Sequence, residues 1–271
     1  MTQNEFNAKA DALATQIGVR DSHHGYFTIH RTRLYEMCKQ FDLFERELGD
    51  VLEIGPFYSY IPVLLRGRAR SYHVLEGTDD PALDPLRGLY AKHDIELQIL
   101  NLVDIFGLAV NVTGRLPHAT NSFDTILCWE TMEHFNFNPV PFVRELWRIT
   151  RPGGKVYLSV PNRASGETLF SLLTGRNQRS GIDTYFKIAD SEASRKGPYL
   201  GFHWREYTLL EFTHLFRQAQ FHISDSGWVM HFQDHGPVGL TRKLARALLR
   251  CFMLLRPSLG KGCYLVAEKR A

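Results

Sequence analysis

Between residues 50 and 160, short apolar runs rich in β-branched and aromatic residues alternate with longer segments whose apolar positions recur every three or four residues. The runs at 51–54, 72–75, 96–100, 123–128 and 155–160 read as strands. The segments near 30–45, 59–66, 83–93 and 139–150 read as helices, the last closed by Pro152, Gly153 and Gly154. Strands separated by helical segments predict a parallel sheet with crossover helices, an α/β sandwich of three layers. Beyond Pro161 the period is lost, and 163–202 reads as an insertion or lid rich in Gly and Ser. A helix at 208–218 and strands at 221–229 and 262–268 follow. Between those strands, Leu240, Leu244, Leu248, Phe252 and Leu255 form one stripe and Arg242, Arg246 and Arg250 another, which predicts a basic amphipathic helix over 238–256. Its apolar stripe suits the sheet, a second subunit in a homodimer, or an anionic membrane surface.

Composition narrows the class. At 271 residues with 44% apolar and 23% charged, the chain is too apolar for a disordered protein and long enough for a sizeable core. Cys38, Cys128, Cys251 and Cys263 form no CxxC pair, so neither a disulfide framework nor a zinc ribbon is expected. No apolar run reaches the length of a membrane span, and the first residues lack the apolar core of a secretory signal, so the expected compartment is the cytoplasm, at most peripheral to a membrane. The net charge of +3 is uneven, since 242–271 carries a balance of +7 and the preceding body is mildly acidic. A broad nucleic-acid-binding face is therefore not expected.

The first strand ends in Glu53, Ile54 and Gly55, and a glycine between strand and helix lets the backbone approach a ligand at the carboxyl edge of a sheet. The GxGxxG dinucleotide fingerprint fails at Phe57 and Tyr60, and no P-loop is present. Two carboxylates at consecutive strand ends, Glu53 and Glu76, suit a cationic amino group and a ribose diol instead.

Here the chain resembles the class I S-adenosylmethionine-dependent methyltransferases of the type 11 group, which includes quinone-biosynthesis C-methyltransferases and many O-methyltransferases. The stretch from Ser122 to Asn162, SFDTILCWETMEHFNFNPVPFVRELWRITRPGGKVYLSVPN, is similar to the family's fourth strand, its "EH" pair, the helix and RPGG turn, and the fifth strand. A second stretch, His203 to Thr208 with Glu211 and the helix to Phe221, is similar to a later family segment. The resemblance spans about 50–226 and implies a seven-stranded, mostly parallel sheet with the last strand antiparallel. It would comprise an N-terminal helical cap over 1–48 and a methyltransferase domain over 49–271. It further implies S-adenosylmethionine as cofactor, held by Glu53, Gly55, Phe57 and Tyr58 near the methionine moiety and Glu76 on the ribose. Asn101 and Leu102, with Asp104 as the alternative, would meet the adenine, and Trp129 or Glu130 would line the pocket. Where the family has three glycines this chain has Gly55, Phe57 and Ser59, and a Cβ at 57 and 59 restricts φ and pushes the backbone from the ligand.

Methyl transfer needs an aligned acceptor and, for an alcohol, a proton acceptor. His134 follows Glu133 just after the fourth strand and is the expected catalytic base, or else a packing and capping residue that shapes the pocket. His203, Glu206 and Tyr207 are second-line candidates. No metal site is expected: the tightest histidine cluster, His231 and His235 with Asp234, lacks metal-ligand spacing, and His23, His24, Gly25 and Tyr26 read as a packing turn before the first helix, or else as a cap on the pocket. The expected reaction is O-methylation of a small metabolite or of a sugar or lipid-linked glycan precursor. The alternatives are C-methylation of a quinone-like ring and a non-catalytic binding or scaffold relative.

Overall fold

A computed structural model describes residues 1–18, 22–107, 113–175, 186, 202–229, 253 and 255–270. Most of the expected lid over 163–202 and nearly all of the amphipathic segment over 238–256 lie outside these residues, as do His231 and His235 and the side chains of His23 and His24.

Seven strands form one sheet: β1 (Gly49–Ile54), β2 (Ala69–Glu76), β3 (Ile95–Ile99), β4 (Phe123–Trp129), β5 (Thr150–Pro161), β6 (His222–Val229) and β7 (Gly262–Glu268). Their spatial order is β3-β2-β1-β4-β5-β7-β6. The first five pair in parallel, and β7 runs antiparallel between β5 and β6. This is the expected architecture. The order reverses between β1 and β4, the switch point at which open α/β sheets bind ligands.

Alternation along each strand divides the core. Val51, Tyr72, Val74, Leu127, Trp129 and Tyr157 face one layer with α1 (Gln3–Gln16), α2 (Ser22–Gln40), α3 (Ile61–Leu65) and α4 (Asp84–Lys92). Leu52, Ile54, Leu75, Ile126, Cys128 and Leu158 face the other, with α5 (Leu102–Phe106), α6 (Pro139–Ile149) and α8 (Leu209–Gln218). One more helix, α7 (Gly166–Leu173), opens the lid region, capped by Ser165 on the Thr168 N–H.

Three readings are corrected. The helix expected at 30–45 begins at Ser22 and ends at Gln40, because Asp42 takes a left-handed φ of 53° and Phe41, Leu43 and Phe44 bury themselves from irregular turns instead. Pro152 and Gly153 do not separate α6 from the strand. Both lie within β5 as a bulge, between the pairs Phe123–Thr150 and Thr125–Lys155, with Gly153 at φ 82°. The stretch 166–173, read as aperiodic, is helical.

Candidate active site

At the end of β1, Gly55 has φ 64°, and a Cβ there would come within 2.7 Å of Thr131 Cγ2. Glycine therefore serves both the left-handed turn and the close approach of the segment after β4. The Thr131 hydroxyl donates to the Ile54 carbonyl at 3.2 Å and the Trp129 carbonyl at 3.1 Å, fixing β1 and β4 side by side. Phe57 also adopts a left-handed φ, 52°, so the backbone keeps the shape a glycine would give at a cost of about 1–2 kcal/mol. Its ring meets Tyr26 of α2 edge-on at 5.1 Å, which offsets part of that cost.

Behind this turn lie two buried carboxyls. Glu53 is buried, and burial pushes its carboxyl up to about 7 although the Tyr72 hydroxyl donates to it at 2.5 Å. Glu76 is 4% exposed, and burial raises it to about 8 against the opposing pull of backbone hydrogen bonds from Phe57 and Gly77. Its Oε1 has no partner among the described residues, and neither does Trp129 Nε1. Unpaired buried polar atoms are costly, so an acceptor and a donor stand ready for a polar ligand at the switch point.

The 3-10 turn Met132–His134 continues the edge. Glu133 is 1% exposed, its Oε2 has no described partner, and burial, then the neighbouring Glu130 charge, hold its carboxyl well above the usual range. The Glu133 carbonyl accepts from Trp204 N–H at 2.8 Å, which brings the segment after the lid against the turn. His134 Nδ1 lies 2.8 Å from the Phe202 carbonyl, which fixes that nitrogen as donor and leaves Nε2 bare, 3.9 Å from Glu133 Oε1. Burial pulls the His134 imidazolium down, with the Phe202 carbonyl opposing and His203 adding to the fall. The His203 ring is 5.0 Å from that of His134, and its Nδ1 is 3.0 Å from Glu206 Oε1.

Residues of α2 reach both sides of this edge. Arg33 of α2 pairs with Glu130 at 2.8 Å, and Glu130 itself is held at φ 51° with its N–H on the Ser159 carbonyl. The Tyr26 phenol is raised mainly by desolvation, with the Arg33 charge opposing and the Glu130, Glu133 and Glu76 carboxyls adding to the rise.

Of the residues expected from sequence, Glu53, Gly55, Phe57, Glu76 and Trp129 converge at the ends of β1, β2 and β4. Tyr58 is buried beside Tyr60. Asn101 caps α5, its Oδ1 accepting from Val103 N–H at 3.0 Å, so only its amide nitrogen is free of the cap. Leu102 packs in the core on the opposite face and Asp104 is exposed. Arg33 and Ser159 were not singled out. Arg33 meets Glu130 across 97 positions of sequence, and no local pattern announces such a pair.

The strand order, the antiparallel β7 and the glycine turn facing two strand-end carboxyls define the class I S-adenosylmethionine-dependent methyltransferase fold. A methyltransferase of Thermotoga maritima shares it with a TM-score of 0.54 at 13% identity, over 92% of this chain and 95% of that one. A family model described as a methyltransferase domain, of the type 11 group, matches residues 90–158. A Mycolicibacterium smegmatis protein named a probable S-adenosylmethionine-dependent methyltransferase is 29% identical over 182 residues, 67% of this chain and 55% of its own length. A ubiquinone biosynthesis O-methyltransferase of Xanthomonas oryzae is 33% identical over 78 residues, 29% of this chain and 28% of its own. The matched stretches thus span about half of the first relative and less of the second. The cofactor these comparisons indicate is S-adenosylmethionine.

Proposed function

We propose that the chain transfers the methyl group of S-adenosylmethionine to a hydroxyl oxygen of a small acceptor, a metabolite or a sugar or lipid-linked glycan precursor. The observation that carries this reading is the set of buried atoms without described partners, Glu76 Oε1, Trp129 Nε1 and Glu133 Oε2, around the left-handed turn at Gly55. They suit the cofactor: Glu76 accepts from the ribose hydroxyls, Trp129 Nε1 donates to a polar atom of the ligand, and the glycine turn lets the backbone close on it. Glu53, tied to Tyr72, sets the polarity beneath the turn. When bound, S-adenosylmethionine supplies the activated methyl carbon and a thioether leaving group.

The chain contributes positioning, exclusion of water and a proton acceptor. Tyr26 against Phe57 and Arg33 against Glu130 bring α2 to this edge, where it would limit access of water once a ligand is bound. His134, held by the Phe202 carbonyl, presents the bare Nε2 to an acceptor hydroxyl, and its depressed basicity keeps the imidazole neutral and able to take a proton. Calorimetric titration with S-adenosylhomocysteine tests the cofactor half. Binding is expected in the wild type, with NAD inert, and a loss of at least about tenfold in Glu76→Ala, the value of a hydrogen bond to a charged group. With a labelled methyl donor and a panel of hydroxyl acceptors, His134→Gln is expected to lower kcat about a hundredfold or more while S-adenosylhomocysteine affinity holds. Absence of binding to both sulfur ligands in the wild type would favour a non-catalytic relative.

A further inference from the structure

We propose that Glu133, His134 and His203 form a binding site for a divalent first-row transition metal, with its open positions turned toward the acceptor. One ligating atom from each lies within 4.8 Å of the others. Two imidazoles and one carboxylate are a donor set that suits zinc, iron, cobalt or manganese better than magnesium or calcium. Bound ligand atoms sit about 3.0–3.4 Å apart at metal–ligand distances of roughly 2.1 Å. The 3.9 Å between His134 Nε2 and Glu133 Oε1 therefore needs to close by about half an ångström or a little more.

Three observations beyond the cluster point the same way. Glu133 is a carboxyl 1% exposed whose Oε2 has no described partner, a costly arrangement that a cation would relieve. Both histidines are oriented as metal ligands are, with Nδ1 engaged by the Phe202 carbonyl for His134 and the Glu206 carboxylate for His203, which leaves Nε2 as the ligating nitrogen of each. The donors also come from two segments far apart in the chain, one after β4 and one at 202–206, already joined by the Trp204 N–H on the Glu133 carbonyl at 2.8 Å, so a cation would tie together segments that the backbone already holds side by side.

The inference rests on the proposed reaction only for its consequence. With the cation bound, His134 is a ligand rather than a free base, and an acceptor hydroxyl in an open position loses its proton to solvent because its oxygen is bound to the cation. The binding claim stands on the cluster alone. Full-length protein dialysed against chelator is titrated with Zn2+ by calorimetry and with Co2+ by visible absorption, with Mg2+ as control. One Zn2+ per chain and a cobalt d–d spectrum with nitrogen ligation are expected. Affinity should fall tenfold or more in His203→Gln and His134→Gln and hold in His73→Gln, whose histidine pairs with Glu96 on the opposite strand edge. No stoichiometric binding, or equal affinity in His203→Gln, overturns the site and places any bound zinc on other histidines. S-adenosylhomocysteine titration of the same samples separates the two readings: its binding without zinc binding defeats only the metal, and zinc binding without it defeats only the methyltransferase.

Discussion

Glu76 is where sequence and structure inform each other most directly. A carboxyl at the end of the second strand was legible as a ligand group from position alone, but its burial was not, because burial depends on α2 and Phe57 closing from distant parts of the chain. That burial has a pH signature. Its folded pKa, about 8, lies above the ordinary carboxylate value, so the free protein holds a proton that the unfolded chain gives up. The contribution is complete below about pH 4.5 and is lost as pH rises toward 8, at up to about 1.4 kcal/mol per unit; Glu53 adds to the same slope up to about 7. Glu76→Gln cannot ionise, so the free variant is expected to show a flatter stability profile and a higher thermal midpoint than wild type at pH 8. Ligand binding runs the other way. Ribose hydroxyls donate to the ionised carboxylate, so S-adenosylhomocysteine affinity is expected to rise at least about threefold from pH 6 to pH 8. Calorimetry at the two pH values checks it, and an unchanged affinity would remove Glu76 from the ribose.

At the scale of elements, local pattern predicts well where an element's reason is local. The strand read at 262–268 coincides with β7, and α8 begins where Thr208 and Glu211 form a capping box, each side chain on the other's backbone N–H. The short α5 and α7 were missed because five to eight residues hold too few turns for a period to emerge, and α7 leaves Phe170 and Leu173 exposed, so it has no polar face to read. The start of α2 was misplaced for a related reason: its role is set by what it covers. Phe27 meets Tyr60 edge-on at 4.8 Å, and Arg33 holds Glu130. Both partners of that ion pair are 19% exposed, between the surface and buried cases. Arg33→Ala is expected to cost about 1–2 kcal/mol and to speed amide exchange in α2. A cost near zero with unchanged exchange would show that the cap is held by its apolar contacts alone. Thr208→Ala, which removes only a cap, is expected to cost about 1 kcal/mol in denaturant titration and leave cofactor affinity unchanged.

For the whole molecule, the same burial that readies the carboxyls also blocks them. Glu53 and Glu76 are each under 5% exposed, and the helices over them are knit to one another by aromatic packing, with Phe6 of α1 against Phe27, Tyr35 and Phe44. Glu76 accepts a backbone hydrogen bond from Phe57, whose ring meets Tyr26 of α2 edge-on, so ligand entry is expected to require movement of α2, and association should be limited by that opening rather than by encounter. Two consequences separate this from an open cleft. S-adenosylhomocysteine should slow amide exchange across 22–40 as well as at the strand ends, since the closed cap is the state that holds it. Phe6→Ala, which removes a fully buried ring far from the ligand, should destabilise the fold by about 3–5 kcal/mol. Because it also loosens α1 from α2, it should raise the association and dissociation rates of S-adenosylhomocysteine together, with the equilibrium affinity changing less than either. Stopped-flow binding on the two proteins decides it: a wild-type rate constant already near 10⁷ M⁻¹s⁻¹, about the upper end of ungated association, and unaltered in the variant, would mean the site is reached without moving the cap.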